Sequence, residues 1–549
     1  MHRRSQRLRW FIPAVTVAGL AVLSATWAFG LWGANPIAMD PPGYVEESAA
    51  SGIDHVYDGD FSYFVGGGVA VFDCNDDFKP DLYIAGGANP AALYQNASPA
   101  GGPLRFSQIE SLVTDQPSVV GVYPIDIDSD GEVDLAVLRY GENLLLRGLG
   151  GCRFERANEL WGLYGGDAWT TAFGARWEPD ETLPTLAFGN YLKVGDLDDN
   201  ARVCAENDLF RPDGPVYGPR VALAPGWCTL SILFSDWDRS GNADLRITND
   251  QQYYRDGEEQ LWRIDASGPP RLYTVDDGWP RLQINGMGIA TYDVTGDGFP
   301  EFYLTNMGDN KLLTLAEDAS EPLFYDIAFG SGVTAHRPFI GDDLLPSTAW
   351  HAEFQDVNSD GFIDLFITKG NVDEMPDFAT EDPDNLLIGQ PDGRFLESAV
   401  AAGLVSTSRS RGAALADFNL DGMLDVVEVN RRDAVKLWRN VGWGTATNPQ
   451  QMGHWLAVQL EQSGPNRDGV GSWIEVKVGD RTLWREVTIG GGHASGQLGW
   501  IHIGLGKRAR VEVRVQWPDG EIGPWIEVEA DRFVLIERGA VSGRVELVP

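Results

Sequence analysis

Residues 356–371 read DVNSDGFIDLFITKGN, an acidic nine-residue loop that runs straight into an alternating apolar strand. The loop places oxygen side chains at positions 1, 3, 5 and 9, which are Asp356, Asn358, Asp360 and Asp364, and a glycine, Gly361, at position 6. Side chains at that spacing converge on one hard cation when the chain curls tightly. The glycine permits the curl, and the carbonyl of position 7 adds a further oxygen. Calcium suits such a loop because it takes about six to eight oxygens in flexible geometry, whereas magnesium demands an octahedron and holds its water.

The same word returns six more times: DCNDDFKPD (73–81), DIDSDGEVD (126–134), DLDDNARVC (196–204), DWDRSGNAD (236–244), DVTGDGFPE (293–301) and DFNLDGMLD (417–425). The expected ligands are Asp73, Asn75, Asp77 and Asp81 in the first, and Asp126, Asp128, Asp130 and Asp134 in the second. Further along they are Asp236, Asp238, Ser240 and Asp244, then Asp293, Thr295, Asp297 and Glu301, then Asp417, Asn419, Asp421 and Asp425. The third copy is the weak one. Cys204 replaces its last acid and it has no glycine, so Asp196, Asp198 and Asn200 make a poor site. About six calcium sites are therefore expected. No Cys or His stands at a ligand position of the well-formed copies, which argues against zinc. An EF-hand is excluded as well, because its twelfth position needs Glu and here falls on Ile84, Val137 or Ile367 inside a strand pattern.

Working outward, each loop follows a strand rich in small residues (GGGVAVF, VVGVYPI, LSILFS, MGIATY, WHAEFQ, GAALAD) and precedes a second. A third strand comes next (ALYQN, NLLLRG, KLLTLA, NLLIGQ, VKLWRN), then a fourth led by an aromatic (FSQIES, FERANE, FYDIAF, FLESAV). Four strands per roughly 60 residues is the size of a propeller blade. The loops start 40 to 70 residues apart, so a radial array with variable connections is expected. The seventh repeat ends at VKLWRNVG without its fourth strand, and YVEESAASGI (44–53) has the missing pattern. The N-terminal strand should therefore complete the last blade and close the ring, which removes two open sheet edges. The fold class expected is all-β, a seven-bladed propeller over 40–445 with a small β-sandwich-like module after it.

Composition agrees. The chain has 549 residues, 80 Asp+Glu against 42 Lys+Arg and a formal charge of −38, which argues against nucleic acid or an anionic membrane surface as partner. With 19 Trp and 43 % hydrophobic residues it is not a disordered acidic tail. Residues 2–9 carry four Arg, and from Phe11 to Gly33 no charge appears. A basic flank before about 20 apolar residues is an export signal, so the remainder should lie outside the cytoplasm, extracellular or in the cell envelope. A cleaved signal and a retained anchor both fit residues 1–39, and membrane contact is expected only through that segment. Four Cys allow three pairings. Cys204 and Cys228 bracket an irregular insertion, which favours their bridge and leaves Cys74 with Cys152.

The repeated words resemble FG-GAP (VCBS) repeats, the calcium-loop blades of the integrin alpha-chain propeller. After the ring, a stretch over 451–530 resembles an ASPIC/UnbV domain. The resemblance is carried by His454-Trp455-Leu456, Asn466-Arg467-Asp468, Gly471, Ser495, Gln497, Gly504-Leu505-Gly506 and Trp517-Pro518-Asp519-Gly520. Together these are similar to the cartilage acidic protein family, which implies a secreted acidic propeller that binds calcium and interacts outside the cell. The departures are the third repeat, Phe78 in place of Gly, and Ser240 and Thr295 where Asp or Asn is commoner. Read from its residues alone, 454–530 is a compact all-β module with period-two runs (WLAVQL, WIEVKV, VEVRVQW), and 531–549 is expected to be a tail.

The functional reading is an exported calcium-binding module for adhesion or scaffolding, with a protein or glycan partner at the loop face or the central channel. The alternative is an enzyme that uses the channel or the C-terminal module. No GxSxG, metal-binding His spacing or cofactor fingerprint supports it, so no catalytic residue is assigned. A passive envelope stalk is the third reading.

Overall fold

The computed structural model describes residues 36–195, 203–250, 257–266, 268–341, 343–540 and 544–546. The expected export segment at 11–33 and residues 196–202 of the third acidic word lie outside the described residues. Among the described residues no helix is long and apolar enough to cross a membrane.

Seven sheets follow one another along the chain, built by antiparallel neighbours in sequence order except that the N-terminal strand joins the seventh and Gly496–Gln497 adds in parallel to the first. The first runs Val69–Phe72, Asp81–Ile84, Ala92–Asn96 and Phe106–Ile109 outward from the centre. The innermost strands contact one another in turn, and the last of them, Ser410–Ala416, comes back against the first, Val69–Phe72. A ring with blades packed on both faces explains why these strands are buried at nearly every position rather than on alternate ones. Where an aromatic leads the outer strand, it fills the gap to the preceding blade. Phe154 meets Phe72 edge-on at 6.3 Å, Phe324 meets Trp237 at 5.8 Å, and Phe106 meets Phe418 at 5.7 Å across the seam of the ring.

The seam closes as the sequence suggested. Gly43–Glu46 pairs antiparallel with Lys436–Gly442 as the fourth strand of the seventh sheet. Glu47 fastens it. One carboxylate oxygen accepts from Arg439 Nε at 2.9 Å and the other from the Leu104 N–H of the first blade at 2.7 Å. Arg439 is buried and also donates to the Ala446 carbonyl.

The third blade corrects one expectation. Its strands are Ala168–Arg176, Thr185–Lys193, Asn207–Phe210 and Val221–Leu223, so 196–204 falls between the second and third strands. Every other acidic word joins the first strand of a blade to the second. The place of a cation loop is taken here by 177–184, where Glu178 pairs with Arg176 and Arg211. The third acidic word is thus a chance composition match on a different connection. The disulfides are Cys74–Cys152, which ties the first loop to the second blade, and Cys204–Cys228, which spans the insertion.

The C-terminal module is a sandwich of two four-stranded sheets packed through Leu456, Val458, Ile474, Val476, Val513 and Val534. The tail expected from 531 onward is in part structural. Arg532–Glu537 lies parallel to His454–Glu461 in the interior of one sheet, because its alternating FVLI run completes that core.

Replacing Glu47 by Ala strands the buried Arg439 guanidinium and frees the Leu104 N–H, so it should cost about 3 kcal/mol. Urea unfolding of the full chain measures this. A loss below about 1 kcal/mol, the range of an exposed pair, would show that the seam is held elsewhere.

Candidate metal centre

The six acidic loops share one curl. In the second, Asp126 accepts the Asp130 N–H at 3.1 Å on one oxygen and the Gly131 N–H at 3.0 Å on the other. Asp293, Asp356 and Asp417 repeat the pair of bonds, Asp236 takes the Gly241 N–H, and Asp73 takes those of Asp77 and Phe78. Position 6 is left-handed throughout, and Phe78 adopts that conformation at φ 69° without being glycine. The missing glycine therefore does not change the path of the first loop.

Position 9 does a different job. Each of these acids is buried beneath its loop and spends its oxygens on neighbouring donors. Asp134 accepts the Ile127 N–H at 2.7 Å and the Gly148 N–H at 2.8 Å, which ties the loop, the second strand and the third strand together. Asp81, Asp364 and Asp425 make the same two bonds in their blades. Asp244 takes Trp237 Nε1, the Tyr273 hydroxyl and the Ile264 N–H, and Glu301 takes the Val294 and Thr295 N–H groups with the Thr314 hydroxyl.

Of the expected ligands, Asp126, Asp128 and Asp130 bring carboxylate oxygens within 4.8 Å of one another, and Asp134 stands outside that group. Asp128 Oδ1 is buried with no hydrogen-bond partner, although Arg147 holds its other oxygen at 2.7 Å and also pairs with Asp130. A hard divalent cation fits this donor set. A second close group, Cys74, Asp81 and Cys152, has both sulfurs in a disulfide. Elsewhere the loops are tied to neighbours. Asn358 donates to the Met39 and Asp40 carbonyls, Asp360 accepts the Met39 N–H, and Asn419 donates to Gly102 O and Asp421. Ser240 Oγ reaches Asp236, Thr295 Oγ1 reaches Glu301, the Asn75 amide nitrogen donates to the Asp73 and Asp77 carboxylates, and Asp238 caps the Ser240 N–H. Asp297 accepts the Phe299 N–H, as Asp421 accepts that of Met423.

Burial lifts the carboxyls of these loops. With the nearby Asp468 carboxylate adding to it, burial pushes Asp126 up to about 7. Burial likewise raises Asp81 and Glu301 to about 7, Asp293, Asp360 and Asp421 to about 6, and Asp134, Asp356 and Asp417 well above the usual carboxylate range.

All six loops face the C-terminal module. Trp500 packs near Phe78 at 6.3 Å, and Asn466 N–H donates to Ser129 Oγ at 3.0 Å. Arg239 lies over Trp473 at 4.0 Å and Trp484 at 4.5 Å, and Trp484 also abuts Gly298. Arg481 donates to the Gly361 carbonyl, Gly506 N–H donates to the Ser359 carbonyl, and His502 Nε2–H donates to the Gly422 carbonyl.

From the same module, residues 488–497 (TIGGGHASGQ) enter the middle of the ring. Ile489 bridges Ala175, Gly490 bridges Leu233, Gly492 bridges Ile289 and Ser495 bridges Val122, while Gly496 and Gln497 pair parallel with Ala70 and Val71. His493 is fully buried. Its Nδ1–H donates to the Met287 carbonyl, its Nε2 accepts the Gly66 N–H, and burial drives its pKa down to about 3, so the ring is neutral. Its own N–H donates to His351 Nδ1. This insertion is absent from the sequence reading, yet it left a signal. Five residues before the first Asp of each loop stand Gly68, Gly121, Ser231, Gly288, His351 and Gly412. A Cβ on Gly68 would sit 1.7 Å from the Ala494 carbonyl oxygen, and one on Gly412 2.3 Å from Ser495 Oγ. Small residues at five of these six positions leave the room that the inserted chain fills, and the sixth, His351, meets it by accepting the His493 N–H.

Metal-free protein should be more stable near about pH 5.5 than near about pH 8. The folded carboxyl pKa values are raised, so the native state holds more protons than the unfolded chain between about 4 and 7, and stability falls as pH rises through that window. Melting in chelator across this range checks it, and a curve that rises with pH would refute the burial of these charges.

Residues 462–543 match the model of the ASPIC and UnbV family, and residues 356–428 match that of the FG-GAP-like repeat. The chain is 28 % identical over 156 residues to mouse (Mus musculus) cartilage acidic protein 1, which covers 26 % of this chain and 21 % of that protein. It thus spans about a fifth of the length of the curated relative it matches. Among solved structures it is similar to the Dos1 propeller, with 10 % identity, TM-score 0.35, and 75 % of this chain and 97 % of that one covered. It is also similar to an Agrocybe aegerita lectin that recognises non-reducing terminal N-acetylglucosamine, with 13 % identity, TM-score 0.36, and 66 % and 88 % covered. The likeness to the cartilage acidic protein family that the motifs suggested is supported by these two family matches and by the similarity to cartilage acidic protein 1, on a chain whose fold is an all-β propeller with a C-terminal module.

Proposed function

We propose that this chain is an exported calcium-binding scaffold, working outside the cytoplasm as an adhesion or assembly module for a protein or glycan partner. The observation that carries the calcium reading is the second loop, where three carboxylates converge and a buried oxygen of Asp128 has no partner. Like charges held this close in a partly dry setting repel, and a divalent ion offsets that repulsion while it uses the oxygens as ligands. The repeat and module families, and the secreted class they resemble, support the compartment.

The surface first expected for a partner is already covered. The loop face lies under the C-terminal module, and the channel centre holds 488–497 on one side with Phe64, Val65, Met287 and Trp350 in its core. A partner therefore engages the blade rims, the opposite face or the outer surface of the module.

Calcium should raise the melting temperature of the full chain. At millimolar calcium and extracellular-type affinities each site contributes on the order of 1 kcal/mol. Asp126→Ala and Asp356→Ala should each remove part of the calcium response, whereas Asp196→Ala should leave it unchanged. Identical melting in chelator and in about 5 mM calcium, above the expected Kd range, would defeat the calcium assignment.

A further inference from the structure

We infer that the cation site of the second loop is completed across the domain boundary by Asp468, so that one bound calcium ties the C-terminal module to the second blade. The inference rests on the calcium reading of the loops and adds a ligand that the nine-residue word does not contain.

The turn 466–469 is seated on the loop from both sides. Asn466 N–H donates to Ser129 Oγ at 3.0 Å, and the Asn466 side chain is locked to its own module by bonds with the Val470 N–H and carbonyl, both at 2.8 Å. The Arg467 guanidinium lies against Gly131, where a Cβ would come within 2.5 Å of it. That guanidinium is shared with Glu461, which its Nη2 meets at 2.7 Å. Asp468 follows directly. Its carboxylate makes no hydrogen bond among the described residues and lines the same crevice as Asp126, a cavity of about 490 Å³ between module and ring. The site then gathers Asp126, Asp128, Asp130 and Asp468 beside two guanidiniums, Arg147 on Asp128 and Asp130, and Arg467, which is shared with Glu461. Four carboxylates beside Arg147 and the shared Arg467 leave an excess of negative charge, the setting in which a divalent ion is held.

The fourth loop supplies the contrast. There the module also offers a carboxylate, Glu486, but Ser235 Oγ at 2.6 Å and the Asp236 N–H at 2.8 Å already occupy its two oxygens. Glu486 is a structural acceptor at the boundary, and Asp468 is the acid left available.

The test is Asp468→Asn in the full chain, which keeps the shape and removes the charge. Melting is followed in about 5 mM calcium and in chelator, calcium binding by titration calorimetry, and hydrogen exchange over 462–500. In calcium the variant should melt below the wild type, bind calcium at one site about tenfold or more weakly, and exchange faster through the turn. In chelator it should melt at or above the wild type, because a like-charge repulsion is gone. A variant that melts lower in both conditions by the same amount would make Asp468 a structural residue and overturn the proposal. A variant that melts higher in both would show that the ion does not use it. Wild-type protein that melts identically with and without calcium would instead remove the calcium reading itself.

Discussion

A buried carboxylate at the ninth position of each acidic loop is the contact on which the blades depend. Asp81, Asp134, Asp364 and Asp425 each hold the second residue of the loop with one oxygen and the third strand of the blade with the other. The first strand, the loop, the second strand and the third strand are thereby fixed around one side chain. The charge is expensive to bury, and two backbone N–H donors offset part of that cost. The arrangement also sets the positions of the residues above it, so in the second loop Asp126, Asp128 and Asp130 face a shared point from a rigid base rather than from a free surface loop.

That division of labour changes how the repeated word is understood. Its acids are not equivalent ligands. Position 1 curls the loop by accepting backbone bonds, position 9 anchors it, and in the second loop positions 3 and 5 are left nearer the solvent to meet an ion or the basic Arg147. A loop can keep its shape without its glycine, as Phe78 does, provided the first and ninth acids remain.

The loops and the C-terminal module form one structure. Aromatic, basic and backbone groups of the module reach all six loops, and 488–497 adds short backbone bridges to the inner strands of several blades. The inner strands are not ordinary propeller strands facing an empty channel. They carry Gly68, Gly121, Gly288 and Gly412 at one register so that a foreign chain can lie against their backbones. Propeller and module are therefore coupled through the same face on which cations are proposed to bind.

Much of this was legible in the residues. The nine-residue word, the small-residue strand before it and the aromatic-led fourth strand determined the blades, and the pattern missing after VKLWRN determined that the N-terminal strand closes the ring. These are local features, because strand periodicity and turn chemistry act over a few residues. The tertiary structure alone decided where the third acidic word falls, since composition does not tell the first connection of a blade from the second. It also decided that the ninth acids serve as anchors, that Arg532–Glu537 is an interior strand and that 488–497 occupies the ring. Each of these depends on which distant backbone N–H or which empty register a segment meets, and that pairing is set by packing between parts of the chain hundreds of residues apart.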